Sequence, residues 1–341
     1  GPFHWRVADI RKTTVCEALF VWLNGGFRTR KQTMNENDFT HDQCEVPALT
    51  EADYLAAAKA GSTRKEYQKD VRYFAAAGYA MPATVDQVAS YLTQMAGHLA
   101  VSTIERRLVS LHVAHLEAGY PSPVHAKRIK TMMQGVRRTK GVAVKQATAI
   151  VKDDLLEMLS VASRGRPMQA ARNAALLLVG WAGAFRRSEL AVLRCEDVLW
   201  LDSGVEITLR QSKVDQTGAG FVKFLPNAHG NRSPHLALQH WMEVSGITEG
   251  YLFRPINRHD QIGDRPLTPH AISQIVKKII EQTGRDPAKY SGHSLRAGFI
   301  TEGVLSAVSE HLLMMTSGHR STQTFQKYVR LGKRRRIPSL L

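Results

Sequence analysis

The stretch from Lys127 to Lys145 holds seven basic residues and no acid, and the hydrophobic pattern differs on its two sides. Before it, apolar residues recur at helical spacing. After it, helical runs are interrupted by short alternating stretches. Two patterns separated by a charged interval do not make one continuous core. A length of 341 residues fits two domains of about 150 residues each. The expected layout is a tail at 1–48, a helical domain at 49–137, a basic linker at 138–149, a second domain at 150–335 and a tail at 336–341. Gly1-Pro2 reads as a protease-cleavage scar.

In the first domain, Val85, Val88, Leu92 and Met95 lie on one helical face, as do Ile104, Leu108 and Leu111. Three pairs have capping-box spacing ahead of such faces: Thr63 with Glu66, Thr84 with Gln87, and Ser102 with Glu105. A fourth helix carries Ile129, Met132, Met133 and Val136. Helical periodicity fades from Arg138 onward, which sets the linker there. The second domain opens with helices near Lys152–Ala162 and Met168–Trp181, then a short helix through Glu189–Leu193. Strand-like stretches follow at Val198–Trp200, Val205–Leu209 and Phe221–Phe224, the last two flanking a Gly-bearing turn in a predicted hairpin. Helices resume to the C-terminus. The fold class is mainly α (α+β): a helical domain, then a mixed domain with a small antiparallel sheet.

Composition narrows the partner. Against 30 acids the chain has 46 Lys and Arg, a formal charge of +16. Such an excess favours a polyanion. Three cysteines, none in a CxxC pair, build neither a disulfide framework nor the usual zinc site. No HExxH, Walker loop or GxGxxG turn is present. Apolar runs such as Ala174–Ala184 are too short to span a bilayer. These features read as a soluble protein of a reducing compartment, with no membrane partner.

Five scattered segments of the second domain carry chemistry: Gly183-Ala-Phe-Arg186-Arg-Ser-Glu189, Arg210-Gln-Ser-Lys213, Ser291-Gly-His293-Ser-Leu-Arg296, Gly318-His319 and Phe325-Gln-Lys-Tyr328. Two arginines suit a phosphate and the charge that grows on it in a transition state. Histidines move protons near neutral pH, and a tyrosine is an oxygen nucleophile once a base or cationic field assists it. Each residue alone is weak evidence. Their order, Arg–Lys–His-x-x-Arg–His–Tyr, is not.

At those residues the chain resembles the tyrosine recombinase (lambda-integrase) family, over about 49–335. The resemblance implies an N-terminal core-binding (SAM-like) domain and a catalytic domain. Tyr328 matches the nucleophile and Arg186 and Arg296 the catalytic arginines. Lys213 matches the hairpin lysine, His293 the base of the H-x-x-R box, and His319 the position held by His or Trp. Glu189 is expected to orient the site. The implied reaction is site-specific DNA recombination through a 3′-phosphotyrosyl intermediate and a Holliday junction, with no cofactor, metal or ATP. The implied partner is double-stranded DNA with paired inverted-repeat core sites, bound by a homotetramer. The implied setting is a prokaryotic cytoplasm, in the nucleoid, on a phage, plasmid or transposon.

Phosphate contacts are expected from Thr63, Lys65, Lys69, Ser102, Thr103, Arg106 and Arg107, at two helix starts where side chains and amides meet anions. Lys127, Arg128 and Lys140 of the basic interval join them. A type IB topoisomerase or telomere resolvase is the alternative chemistry. A noncatalytic architectural DNA binder is the alternative class, and the complete catalytic set weighs against it.

Overall fold

The computed structural model describes Thr50 and residues 61–141, 147–210, 220–228 and 230–334. The chain divides into two compact units between Val142 and Ala143.

The described part of the first unit has α1 (Gly61–Ala76), α2 (Val85–His98), α3 (Val101–Glu117) and α4 (Lys127–Lys140). Its core draws on the predicted faces: Val88, Leu92 and Met95 of α2 with Ile104, Leu108 and Leu111 of α3, closed by Phe74, Ile129 and Met133. Thr84 caps α2 as expected, in a reciprocal bond pair with Gln87. The other two boxes do not form. Thr63 lies inside α1, and α3 starts at Val101 after Ala100, with no side-chain cap. Their acids are engaged elsewhere: Glu66 pairs with Arg106 at 3.2 Å, and Glu105 pairs with Arg137 at 2.7 Å. A bidentate-capable arginine across the helix interface competes with the weaker local cap. Helix α4 also runs past the predicted linker boundary, through Arg138 to Lys140, and ends where Gly141 turns to φ +72°.

The second unit has α5 (Lys152–Ala162), α6 (Pro167–Ala182), α7 (Arg187–Val192), β1 (Val198–Leu201), β2 (Gly204–Leu209) and β3 (Phe221–Pro226). It continues with α8 (Pro234–Ser245), α9 (Pro269–Gln282), α10 (Ser294–Leu305), α11 (Glu310–Ser317) and α12 (Thr322–Arg334). Every residue of α6 from Ala175 to Gly180 is buried, as a helix apolar on all sides must be. Separate cores lie against it, one with the sheet and α8, the other with α5 and α9. The strands form one antiparallel sheet in the order β1-β2-β3. In its register Ile207 faces Val198 on one side and Lys223 on the other, with Val205 opposite Leu225. Strand alternation therefore points Val205, Ile207, Lys223 and Leu225 to one face. Each of these is buried. A lysine sits where the pattern calls for an apolar side chain. The predicted hairpin pairing is present, while its turn, including Lys213, lies outside the described residues. No described helix is long and apolar enough to cross a membrane.

Candidate active site

The turn between α6 and α7 organises the site. Ala184 is fully buried at φ +46°, a conformation unfavourable for a residue with a Cβ. It turns the carbonyls of consecutive residues toward two different cations. Gly183 O accepts from Lys223 Nζ at 2.5 Å, and Ala184 O accepts from Arg296 Nη1 at 2.8 Å. Arg186 follows at the head of α7. Its backbone N–H and its Nη1 donate to the two oxygens of buried Glu189, at 2.9 and 2.5 Å. Glu189 thus fixes both the direction of α7 and the guanidinium in front of it.

Arg296 lies in the first turn of α10 and is 1% exposed. Gly298 permits that depth: a Cβ there would sit 1.6 Å from the carbonyl oxygen of Ile150. Burial, and then the charge of Arg186, lower the Arg296 guanidinium to about 10, still a cation at neutral pH. Its Nε has no partner among the described residues. Two guanidinium charges face one carboxylate, so the cluster has an unbalanced positive charge and an unused donor. Both are suited to an oxyanion.

Helix α11 ends at Gly318 in the left-handed conformation, which turns the chain so that His319 faces Arg296. The Ser317 hydroxyl donates to Leu313 O at 2.6 Å, so it accepts Nδ1–H of His319 at 2.7 Å. This leaves Nε2 to accept from Arg296 Nη2 at 3.3 Å. Burial and the charges of Arg296 and Arg186 push His319 down to about 3, so the ring is neutral.

On α12, Phe325 and Val329 bury one helical face against Ile300, Val304 and Leu313. That places Tyr328 at the edge of this core, half-buried. Its hydroxyl lies 3.2 Å from Nε2 of His293. Desolvation of the His293 ring, then the charges of Arg296, Arg186 and Arg187, lower its pKa below the ordinary histidine value. In the tautomer with its proton on Nδ1, the neutral ring presents Nε2 as an acceptor for the tyrosine hydroxyl. Burial raises the Tyr328 pKa, and Arg296 and Arg186 oppose that rise without cancelling it. The pair is therefore a neutral phenol hydrogen-bonded to a neutral imidazole.

Of the residues singled out in the sequence, Arg186, Glu189, His293, Arg296, His319 and Tyr328 come together through these contacts. Lys213 lies outside the described residues. Sequence reasoning missed Lys223, whose only signal is its inward place in the β3 alternation, and the carbonyls of the 183–184 turn, which have none. Among the described residues no group of three or more His, Cys, Asp or Glu is arranged to hold a metal.

The residues expected at DNA divide in the first unit. Lys65, Lys69, Ser102 and Lys127 are exposed, and Thr63 and Thr103 are half-buried. Arg128 and Lys140 are exposed but engaged, the former with Asp86 and the latter with Ala96 O at 2.6 Å. Arg106 and Arg107 flank buried Asp70. Arg106 reaches its Oδ2 at 2.5 Å, while Arg107 lies over the Tyr73 ring and donates to the Tyr91 hydroxyl.

Comparison with known proteins places this geometry. The chain is 29% identical over 256 residues to an integrase/recombinase xerD homolog of Selenomonas ruminantium, covering 74% of this chain and 75% of that one. It is 26% identical over 267 residues to recombinase cre of Escherichia phage P1, covering 73% and 76%. A solved structure of XerH site-specific recombinase bound to a palindromic difH substrate superposes with TM-score 0.57 at 18% identity, covering 77% of this chain and 74% of that one. A lambda integrase dimer bound to a COC′ core site gives 0.57 at 17% identity, covering 84% and 77%. At those identities the structures establish the fold. Residues 149–335, more than half of the sequence, match the phage integrase family model, and the chain belongs to that family, the tyrosine recombinases.

Proposed function

We propose that this protein is a site-specific DNA recombinase that breaks and rejoins strands with Tyr328 as nucleophile. The observation that carries the reading is the Tyr328 hydroxyl held 3.2 Å from Nε2 of His293, beside the Arg186–Arg296 cluster. Tyr328 Oη attacks the scissile phosphorus while its proton passes to His293. The P–O5′ bond breaks, leaving a 3′-phosphotyrosyl link and a free 5′-hydroxyl. Arg186 and Arg296 hold the nonbridging oxygens and stabilise the charge of the pentavalent state. His319 neighbours the same oxygens, and Lys213 protonates the departing O5′. Because the guanidinium groups supply the positive charge and the tyrosyl ester conserves the phosphodiester energy, this chemistry needs neither metal nor ATP. Four protomers on two DNA sites then exchange strands through a Holliday junction. The DNA-bound recombinases among the structural relatives, and the two curated recombinases, support this reading.

The test uses a library of nicked duplexes with randomised half-sites, incubated with the full chain in EDTA. The expected result is a denaturation-resistant protein–DNA adduct, lost in Tyr328→Phe. Tight binding of selected duplexes with no adduct would overturn the reading. Relaxation of any supercoiled plasmid without recombinant products would replace it with a topoisomerase.

A further inference from the structure

Lys223 is 2% exposed, on the inward face of β3 among apolar neighbours. No carboxylate forms an ion pair with it among the described residues. Its Nζ donates instead to Gly183 O at 2.5 Å and to Thr316 O at 2.8 Å. The ring of Phe185 lies 4.7 Å from the Nζ, and that of Phe221 5.5 Å. Burying an amine is costly, and packing alone would be met by methionine or leucine. What a lysine gives here is a donor for two carbonyls, one buried and one half-buried, that belong to different parts of the site.

Each carbonyl lies three residues before a side chain of the site, Gly183 before Arg186 and Thr316 before His319. Gly183 precedes Ala184, whose carbonyl holds Arg296, and begins the turn that presents Arg186. Thr316 precedes Ser317, which fixes the His319 ring, and α12 with Tyr328 follows. We infer that Lys223 is a positioning residue for strand cleavage, tying the arginine-bearing turn to the segment that carries His319 and leads to Tyr328. It touches neither the nucleophile nor the phosphate in this role. The inference rests on the recombinase reading above.

Burial, then the charges of Arg296 and Arg186 against the opposing charge of Glu189, bring Lys223 down to about 7. Both forms of the amine supply the two donors that the carbonyls need. The tie therefore persists on either side of neutrality, while the charge behind the arginines changes.

The experiment compares wild type, Lys223→Met and Lys223→Arg on a nicked duplex selected by the library above. Binding, single-turnover adduct formation and amide hydrogen exchange are all measured. The expected result for Lys223→Met is unchanged affinity and adduct formation slowed on the order of 100-fold, the penalty of an ångström-scale misplacement. Exchange at Gly318 and His319 should quicken. Lys223→Arg should recover most of the rate, and a 5′-bridging phosphorothiolate should not rescue the methionine variant. A wild-type rate in Lys223→Met would overturn the inference. Thiolate rescue would also overturn it, because it assigns Lys223 to protonation of the leaving group. Should Lys223→Met not fold, Lys223→Arg decides alone: it must keep wild-type exchange protection at Gly318 and His319, and lost protection overturns the tie. If wild type itself yields no adduct on DNA it binds, the recombinase reading fails. The exchange comparison still reports separately on the tie.

Discussion

Two side chains set how the site responds to pH. His293 is lowered below its ordinary value, so it remains a base in mildly acidic solution, while Tyr328 is raised and stays a phenol until a base takes its proton. Cleavage should therefore fall only as pH drops through the lowered His293 value, below about 6.5. His293→Gln should abolish that limb and slow single-turnover cleavage by about 100- to 10,000-fold. A wild-type acid limb centred above the ordinary histidine value would contradict the assignment. Lys223 makes an independent prediction about stability. Folding lowers the pKa of a basic group here, so below about pH 7 the amine is protonated in both states and its burial penalty is fully present. Between about pH 7 and its unfolded value near 10.5, the folded state holds fewer protons, and stability rises with pH. The slope has a ceiling of about 1.4 kcal/mol per pH unit. Urea unfolding at about pH 7 and about pH 9 should show that gain in wild type relative to Lys223→Met. Equal pH dependence in the two proteins would place the titration elsewhere.

Between elements, charge performs two tasks that sequence spacing does not separate. Arg106 and Lys65 both looked like phosphate contacts on helix starts. Lys65 is exposed, whereas Arg106 joins α3 to Glu66 and Asp70 of α1, with Ser110 donating to the same carboxylate at 2.8 Å. Lys65→Ala should leave unfolding unchanged and reduce the slope of log K against log salt by about 1, and an unchanged slope would remove Lys65 from the phosphate contacts. Asp70→Ala should instead cost about 1.5–3 kcal/mol of stability, the range for charged hydrogen bonds. The cost stays below that of a fully buried pair because Arg106 is 37% exposed and can recover water. Local pattern located the helix faces, since Val88, Leu92 and Met95 need only their own spacing to declare a side. It could not reveal that Glu66 and Glu105 abandon their caps, because Arg106 and Arg137 lie 40 and 32 residues away in sequence. In the site, His293, Arg296 and Tyr328 were legible because chemistry restricts which residue types serve. Lys223 was not, since its meaning depends on strand register and on a carbonyl 40 residues distant. The Ala184 turn was hidden for a like reason: nothing in an alanine announces a positive φ.

Across the whole molecule, the formal charge of +16 is not all available to DNA. Arg172, Arg296 and Lys223 are buried, and the latter two are committed to the site. The remainder, spread over exposed residues such as Lys65, Lys69 and Lys127, fits a protein whose DNA affinity falls steeply with salt. Family membership and fold make recombination the natural use of that charge. On the proposed reading, Tyr328 adds strand cleavage to that adhesion. The most direct measurement is to digest the trapped adduct with protease and nuclease and identify the modified peptide by mass spectrometry. The account predicts a nucleotide joined through its 3′-phosphate to Tyr328. A nucleotide on any other side chain, or one joined through a 5′-phosphate, would contradict it.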